Sequence, residues 1–417
     1  MLFQEAGSRK QEGGSRKQER SSNLELLRII CMFTIVGDHF IGQSGIAEFN
    51  TLAQCVYYST VVSLSRVACS IFIIISAWFL VEKEFSIKRV FHTWLTVIMY
   101  TVPITLIAYL FQLYPVDGNL FKSALLPIEN SPLWFANYYI VLILLSPILN
   151  KILHDCPKYL IEYYLIIMTL LHVLYVTITA DLGYFAHDIW IFIYLYILTG
   201  YIKLNAIKLP SVKKAAIIFI LSWAMLCLLR GLVAYGINHY GMVLDNVNML
   251  LEVYRARLQS LPNLIMAFSL FAIFYQVKIK YYRMINIIAT TVLGIYCFHQ
   301  VPGWYMWLWN NVFFTKFQAE TLLGYNRAGY GLLCIVLIFF TGALIEYIRN
   351  KISYSLIESK EWYIVACKNI DSYVNGYVNM QIKEFLNNRK FIVAVLLCIG
   401  YFMFIRFIQI YLPLNIG

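Results

Sequence analysis

Long apolar runs, separated by short polar segments, fill most of the chain after residue 22. About 20 consecutive apolar residues are enough for an α-helix to cross the hydrocarbon core of a bilayer. Runs close to this length lie at residues 24–41, 66–82, 90–111, 134–153, 161–180, 188–202, 214–230, 260–277, 285–303, 328–348 and 391–412. The pattern therefore predicts an all-α, polytopic membrane protein with about ten core transmembrane helices and an additional eleventh.

The composition agrees with this class. Of 417 residues, 60% are hydrophobic and 13% are charged, whereas soluble domains are about half apolar and a quarter charged. A net charge of +11 would indicate nucleic-acid binding in a soluble protein. Here the cations lie in loops between apolar runs, next to anionic lipid, so we predict membrane lipid as a partner and no nucleic acid.

Every second loop of this predicted topology is basic. These loops contain Lys83, Lys88 and Arg89; Lys151 and Lys158; Lys203, Lys208, Lys213 and Lys214; and Lys278, Lys280 and Arg283. Cytoplasmic loops carry an excess of Lys and Arg, so the N-terminus is predicted in the cytoplasm and the C-terminus outside.

Four segments follow from these patterns. Residues 1–22 are polar and basic, with GSRKQE at 7–12 and again at 14–19, and are predicted to be a disordered cytoplasmic tail. Residues 23–348 form the transmembrane domain. Residues 349–390 form a cytoplasmic linker on the membrane surface, and residues 391–417 contain the additional helix.

The first apolar run carries Glu25, Arg28, Asp38 and His39. Charges inside a spanning helix are costly and mark a functional hypothesis. Arg28 and His39 are about three turns plus 20° apart, so they share one helix face at a rise of about 16 Å. The alternative for each residue is structural: Arg28 extends to the headgroups, and His39 is a satisfied polar residue near the far interface.

The pair Arg28 and His39, separated by ten residues in the first helix, resembles the signature of the integral-membrane acyltransferase 3 family. Four later stretches resemble further patterns of that family, and they lie at Ser65–Leu80, Ser131–Asn150, Ile191–Ile202 and Thr290–Gln300. Two positions depart from the family. Ala77 stands where the second-helix pattern has Gly, and His92 stands where an Arg-x-x-Arg pattern has its second Arg.

The resemblance implies a bacterial plasma-membrane enzyme that O-acylates sugars of the cell surface or of a lipid-linked precursor. It implies an acyl-CoA co-substrate, acetyl-CoA by expectation, used from the cytoplasmic side without a permanently bound cofactor. The nine cysteines form no C-x-x-C, and the histidines form no ligand cluster, so no metal site is predicted.

We assign the proposed chemistry to two groups of residues. Arg28, with Arg89 and Lys88, is predicted to bind the donor phosphates, because a guanidinium suits phosphate oxygens. For Lys88 the favoured interpretation is that it only fixes orientation. His39 is the predicted catalytic base, because imidazole titrates near neutrality. Direct transfer is favoured over an acyl-histidine intermediate.

Another group is predicted on the acceptor side or in a cavity: Arg66, Ser76, Trp134, Tyr296 and His299. Arg66 is predicted to start the second helix from outside, where it would meet His39 and His299. Arg66 and His299 are each also interpretable as interfacial anchors, and Trp134 as part of an aromatic belt.

The competing class is a transporter or flippase of a polysaccharide precursor without acyl-transfer chemistry. No matching pair of Gly- or Pro-interrupted helices occurs in the two halves, which disfavours it. A catalytically idle homologue is a further alternative, because His92 replaces the second Arg. The acceptor sugar, the acyl chain and the oligomeric state stay open.

Overall fold

The computed structural model describes residues 22–44, 52–126, 131–179, 187–240, 257–315 and 324–378. Within these ranges every regular element is a helix and no strand occurs, which confirms the all-α class. The helices are α1 (Ser22–Ser44), α2 (Leu52–Leu80), α3 (Ile87–Leu110), α4 (Gly118–Leu125), α5 (Trp134–Asp155), α6 (Lys158–Met168), α7 (Tyr175–Thr179), α8 (Ile189–Leu204), α9 (Val212–Tyr240), α10 (Leu261–Gln276), α11 (Arg283–Ala289), α12 (Val292–Gln300), α13 (Trp304–Trp307), α14 (Gly324–Ser353) and α15 (Glu361–Val378).

Among the described residues, five helices are long and apolar enough to cross a membrane. They are Thr60–Leu80, Ile87–Leu110, Trp134–Asp155, Lys158–Ile178 and Ala328–Glu358. The number of candidate spans rises to six if one bent pair of helices, Arg283–Gln300 and Trp304–Val312, is counted as a single span. The integral-membrane character is supported, whereas the predicted count of ten to eleven spans is not confirmed.

The missing spans have specific reasons. Helix α1 is 23 residues long but carries Glu25, Arg28 and Asp38. Helices α8 and α10 have 16 residues each, or about 24 Å, which is shorter than the hydrocarbon core of about 30 Å. The predicted span 391–412 and the predicted tail up to residue 21 lie outside the described residues.

Helix α2 lies at the centre of the fold. It packs against α1, α8, α9 and α10, and 72% of its apolar window is buried inside the protein. A helix that is apolar on all sides belongs inside a bundle, and α2 follows this rule. Helix α14, by contrast, buries only 28% of its apolar window and lies at the periphery. Most side chains of the Thr60–Leu80 part of α2 are therefore surrounded by protein.

The α12–α13 segment bends by 84° directly after His299 and Gln300. Gly303 lies at the bend with φ of 74°, a left-handed conformation that glycine adopts without steric cost. A Cβ at this position would also lie 2.5 Å from the Tyr114 ring. The bend ends α12 inside the protein and leaves His299 completely buried.

Helix α15 packs against α3 and α5 beyond the end of α14. The Asp371 carboxylate accepts hydrogen bonds from the Ile87 backbone N–H (2.5 Å) and the Ser86 hydroxyl (3.0 Å). It thereby caps the first turn of α3, whose own N-cap side chain makes no capping bond. The Asn375 side chain bonds to both the N–H and the C=O of Phe85. Helix α15 therefore holds the α2–α3 turn in place.

Candidate active site

A cavity of about 210 Å³ runs along one face of α2. The α2 side chains on its wall recur at helical spacing: Ser65, Arg66, Cys69, Phe72, Ile75, Ser76, Phe79 and Leu80. At 1.5 Å per residue this stripe is about 22 Å long. The cavity is therefore long and narrow, and it follows the helix axis.

We name the two ends of this cavity by their residues. The Arg89 end is lined by Lys83, Arg89, His92 and Thr93. The His39 end is lined by Asp38, His39, Ser65 and Arg66. Of the site residues predicted from sequence, seven line the cavity: Arg28, His39, Arg66, Ser76, Arg89, Trp134 and Tyr296. Lys88 and His299 do not line it.

Arg28 and His39 both face the cavity, as the helical spacing predicted. The Arg28 guanidinium bonds to the Glu25 carboxylate at 3.0 Å and lies 5.9 Å from the centre of the Phe72 ring. Phe72 precedes the end of α2 by eight residues, about 12 Å. Arg28 therefore lies beside α2, about 12 Å from its C-terminal end.

His39 and His299 form a hydrogen-bonded pair. The distance between His39 Nδ1 and His299 Nε2 is 2.8 Å, and His299 Nδ1 lies 2.5 Å from the Ile295 carbonyl oxygen. A carbonyl only accepts, so His299 Nδ1 carries a proton. With both rings uncharged, His299 Nε2 accepts from His39 Nδ1. The other ring nitrogen of His39, Nε2, then carries no proton and has a lone pair that can accept one.

Arg66 lies near the middle of α2, and its predicted position at the outer start of a helix is wrong. The predicted span began at residue 66, but the helix begins at Leu52. The preceding stretch carries polar residues, of which Ser63 and Ser65 are buried against protein. From hydropathy alone, these polar residues were assigned to a loop before the helix. Arg66 was therefore predicted at a membrane interface instead of inside the helical bundle.

Three other predicted residues contribute to the cavity wall. The Ser76 and Tyr139 hydroxyls are 3.1 Å apart, and the Tyr296 hydroxyl donates to the Pro132 carbonyl at 3.0 Å. Trp134 lines the cavity and packs edge-on against Phe135. Ser76 lies ten residues, about 15 Å, along α2 from Arg66, so it is closer to the Arg89 end of the cavity than to the His39 end.

His92 occupies the position where the family resemblance expected a second Arg. Its Nδ1 lies 3.0 Å from the Glu358 carboxylate, which also accepts from the Ser353 hydroxyl at 3.0 Å. Glu358 is 3% exposed and lies in the π-turn after α14. The Arg89 end therefore contains one guanidinium, one lysine and one carboxylate-bound imidazole.

Glu346 lines the cavity and was not predicted from the sequence. It is 1% exposed, and both carboxylate oxygens bond to the Arg349 guanidinium, at 2.7 and 2.8 Å. The Tyr100 hydroxyl donates to the same carboxylate at 3.0 Å. The signal was a Glu inside the apolar run at 328–348, the same kind of signal that identified α1.

Gly294 provides the space for this carboxylate. A Cβ at position 294 would lie 2.2 Å from the Glu346 Oε2 atom, so the Glu346 side chain or one of the two helices would have to move. The glycine of the Gly-Ile-Tyr sequence at 294–296 is therefore explained by the lack of space for a Cβ. It allows α12 to approach Glu346 while Tyr296 lines the cavity.

We expect Gly294→Ala to lower the thermal stability of the detergent-solubilised protein, at a cost of about 1–3 kcal/mol for overpacking. Fluorescence-detected size-exclusion chromatography after heating measures this loss. Gly329→Ala is the matched control, because a Cβ there has no neighbour within 4 Å. Equal stability of both variants would contradict the close approach of Gly294 to Glu346.

Across the ranges that the structure describes, no group of three His, Cys, Asp or Glu residues is arranged to hold a metal ion. The side chains of the cavity wall supply cations at the Arg89 end, and an imidazole and a guanidinium at the His39 end.

The sequence of this chain was compared with those of known protein families and proteins. The family model described as an acyltransferase domain matches residues 21–325, which is most of the chain. No curated protein and no solved structure gives a significant match. The matched region contains α1 to α13 and both histidines of the pair, whereas Glu346 and Glu358 lie beyond it. The chain therefore belongs to the acyltransferase 3 family, whose members are membrane acyltransferases.

Proposed function

We propose that this protein transfers an acetyl group from acetyl-CoA to a hydroxyl of a cell-surface or lipid-linked sugar. The observation that carries the proposal is the continuous cavity between a cationic end and a histidine with an available lone pair. A thioester donor with several phosphates needs cations at one end and a base at the other. The family supports acyl transfer in general, and acetyl-CoA and the sugar are our proposal.

The donor binds with its phosphates toward the Arg89 end. Arg89 and Arg28 both line the cavity, and planar guanidinium groups bind phosphate oxygens with two parallel hydrogen bonds. Lys88 does not line the cavity, which supports a role in orientation only. Lys83, which does line it, adds a cation at the same end. The narrow pantetheine arm then extends along α2 toward His39.

His39 acts as the general base. Its Nε2 takes the proton from the acceptor hydroxyl while the hydroxyl oxygen attacks the acyl carbon. The thiolate of CoA then leaves and takes the proton from His39. Direct transfer needs one base, and the pair with His299 supports this role, because it fixes which nitrogen of His39 is protonated.

The proposed orientation follows from the loop charges. The Arg89 end faces the cytoplasm, where acyl-CoA is made, and the His39 end faces the outer half of the membrane. The chain begins in the cytoplasm and ends outside, in the plasma membrane of a bacterium. The two termini lie outside the described residues.

Mass spectrometry of surface glycans tests the proposal in cells. We compare a deletion strain carrying no protein, the wild-type protein, or the His39→Gln variant. The expected result is that acyl groups disappear from the glycan in the first and third strains while the sugar backbone is retained. Loss of the glycan itself, with normal acylation of the remainder, would indicate a transporter and contradict the proposal.

We expect Arg28→Lys to weaken acetyl-CoA binding about tenfold, because lysine keeps the charge but loses the planar fork. Isothermal calorimetry with purified protein measures the dissociation constant. Arg283→Lys, at an exposed position outside the cavity wall, is the matched control. Equal affinity of the Arg28 variant and wild type would remove Arg28 from the donor site.

A further inference from the structure

Arg66 is a cation with an unused hydrogen-bond donor inside the bundle. It lies near the middle of α2 and lines the His39 end of the cavity. Its Nε atom is buried and has no hydrogen-bond acceptor among the residues that the structure describes. A buried donor without an acceptor is costly, and such groups in native proteins call for an explanation.

A carboxylate lies in the same region as Arg66. Cys69, one turn further along α2, lies within electrostatic reach of Arg66, Asp38 and Asp188. Arg66 and Asp38 both line the His39 end of the cavity. A carboxylate in this region stabilises the guanidinium charge at long range.

Arg66 also lies within electrostatic reach of His39. Both side chains face the same cavity, one from α1 and one from α2, and these helices pack directly against each other. A reacting group bound at this end of the cavity can therefore contact both side chains. This arrangement combines a base, His39, with a hydrogen-bond donor, the Arg66 guanidinium.

We propose that Arg66 is a catalytic residue that stabilises the negative charge formed on the thioester oxygen during acyl transfer. The inference rests on the proposed function and adds a role that the family match does not assign. Fixed donors aimed at a developing oxyanion are worth much more in a water-poor site than in water. Arg66 lies on the cavity wall between α1 and α2, where protein side chains replace much of the surrounding water.

The step balances as follows. The acceptor oxygen forms a bond to the acyl carbon as its proton moves to His39 Nε2, and the C=O electron pair moves onto the carbonyl oxygen. The Arg66 guanidinium donates a hydrogen bond to this oxyanion. When the C=O bond re-forms, the C–S bond breaks, and the sulfur leaves as a thiolate that takes the proton from His39. Arg66 keeps its proton throughout.

The test uses the purified full-length chain with acetyl-CoA and a sugar acceptor, and measures kcat and KM separately. We expect Arg66→Lys and Arg66→Ala to lower kcat about 100- to 1000-fold, the usual cost of losing one oxyanion donor. The KM for acetyl-CoA should change less than about threefold, because the contact forms only in the transition state. Arg283→Lys, exposed and outside the cavity wall, serves as the control.

Two further measurements separate chemistry from folding. Added guanidinium ion should restore part of the activity of Arg66→Ala and none to His39→Gln, since the ion replaces a donor but not a base. If Arg66→Ala does not fold, the role of Arg66 is tested with Arg66→Lys alone. Retained binding of CoA then shows that the Lys variant is folded. A folded Lys variant with kcat within about threefold of wild type would overturn the role of Arg66. Absence of transfer by the wild-type protein would instead contradict the proposed function.

Discussion

Replacement of His39 by Gln is expected to reduce acyl transfer by about 100- to 10,000-fold, the range supplied by a positioned general base. Glutamine keeps a polar side chain of similar length at this position. It has no lone pair that takes a proton at neutral pH. The loss should therefore fall on kcat, with acetyl-CoA affinity retained. Release of the CoA thiol and acylation of the acceptor are measured in the same reaction.

The matched control for His39→Gln is His187→Gln. His187 is exposed and does not line the cavity, so the same chemical change there should leave kcat unchanged. Near-normal turnover of folded His39→Gln protein would remove His39 from the mechanism. In that case the base would be sought at His299, the other member of the pair.

The second large effect is expected at Glu346. Glu346→Ala leaves the Arg349 guanidinium buried without its carboxylate, and Arg349 is only 6% exposed. Breaking a buried ion pair by removal of one partner costs about 3–5 kcal/mol. We therefore expect a large fall in the unfolding temperature of the purified protein, or loss of folded protein from the membrane. Thermal unfolding followed by tryptophan fluorescence measures the change.

A double substitution separates the lost pair from the lost side chain. Replacement of both Glu346 and Arg349 by Leu removes both charges, and well-packed apolar residues often substitute for buried ion pairs without loss of stability. The double variant should therefore unfold at a higher temperature than Glu346→Ala. A double variant that is less stable than Glu346→Ala would show that the two side chains do not act as a pair.

The chemistry of α1 was predictable from the sequence because it depends on helix geometry alone. Arg28 and His39 share a face in any regular α-helix, and both line the cavity. The partner of His39 was predictable only in part. His299 was expected near His39, but its hydrogen bond depends on the bend after α12, which tertiary structure fixes.

Arg66 was misplaced because hydropathy treats polar residues as loop. Ser63 and Ser65 are buried against neighbouring helices instead of facing lipid, so the helix continues through them. Hydropathy measures transfer to lipid and does not detect a helix whose surroundings are protein. A related limit affects the predicted number of spans. Hydropathy also counts short apolar helices such as α8 as spans, although α8 has only 16 residues and is buried among other helices.

The contributions of the C-terminal part needed the three-dimensional structure. Glu346 lies in a predicted span, and Glu358 and Asp371 lie in what the sequence predicted to be a linker. Each acts on a residue more than 200 positions earlier, namely Tyr100, His92 and the backbone of Ile87. One sequence contains no pattern that links such distant residues. The boundary of the family match at residue 325 also falls before all three.

The central claim is that one cavity brings the acyl donor to His39 for transfer to a sugar hydroxyl. Purified protein, supplied with acetyl-CoA carrying a labelled acetyl group and a lipid-linked sugar acceptor, tests it most directly. We predict that labelled acetyl appears on the sugar in equal amount to the CoA thiol released. Movement of the sugar lipid across a reconstituted membrane, with no label on the sugar and no thiol released, would contradict the claim.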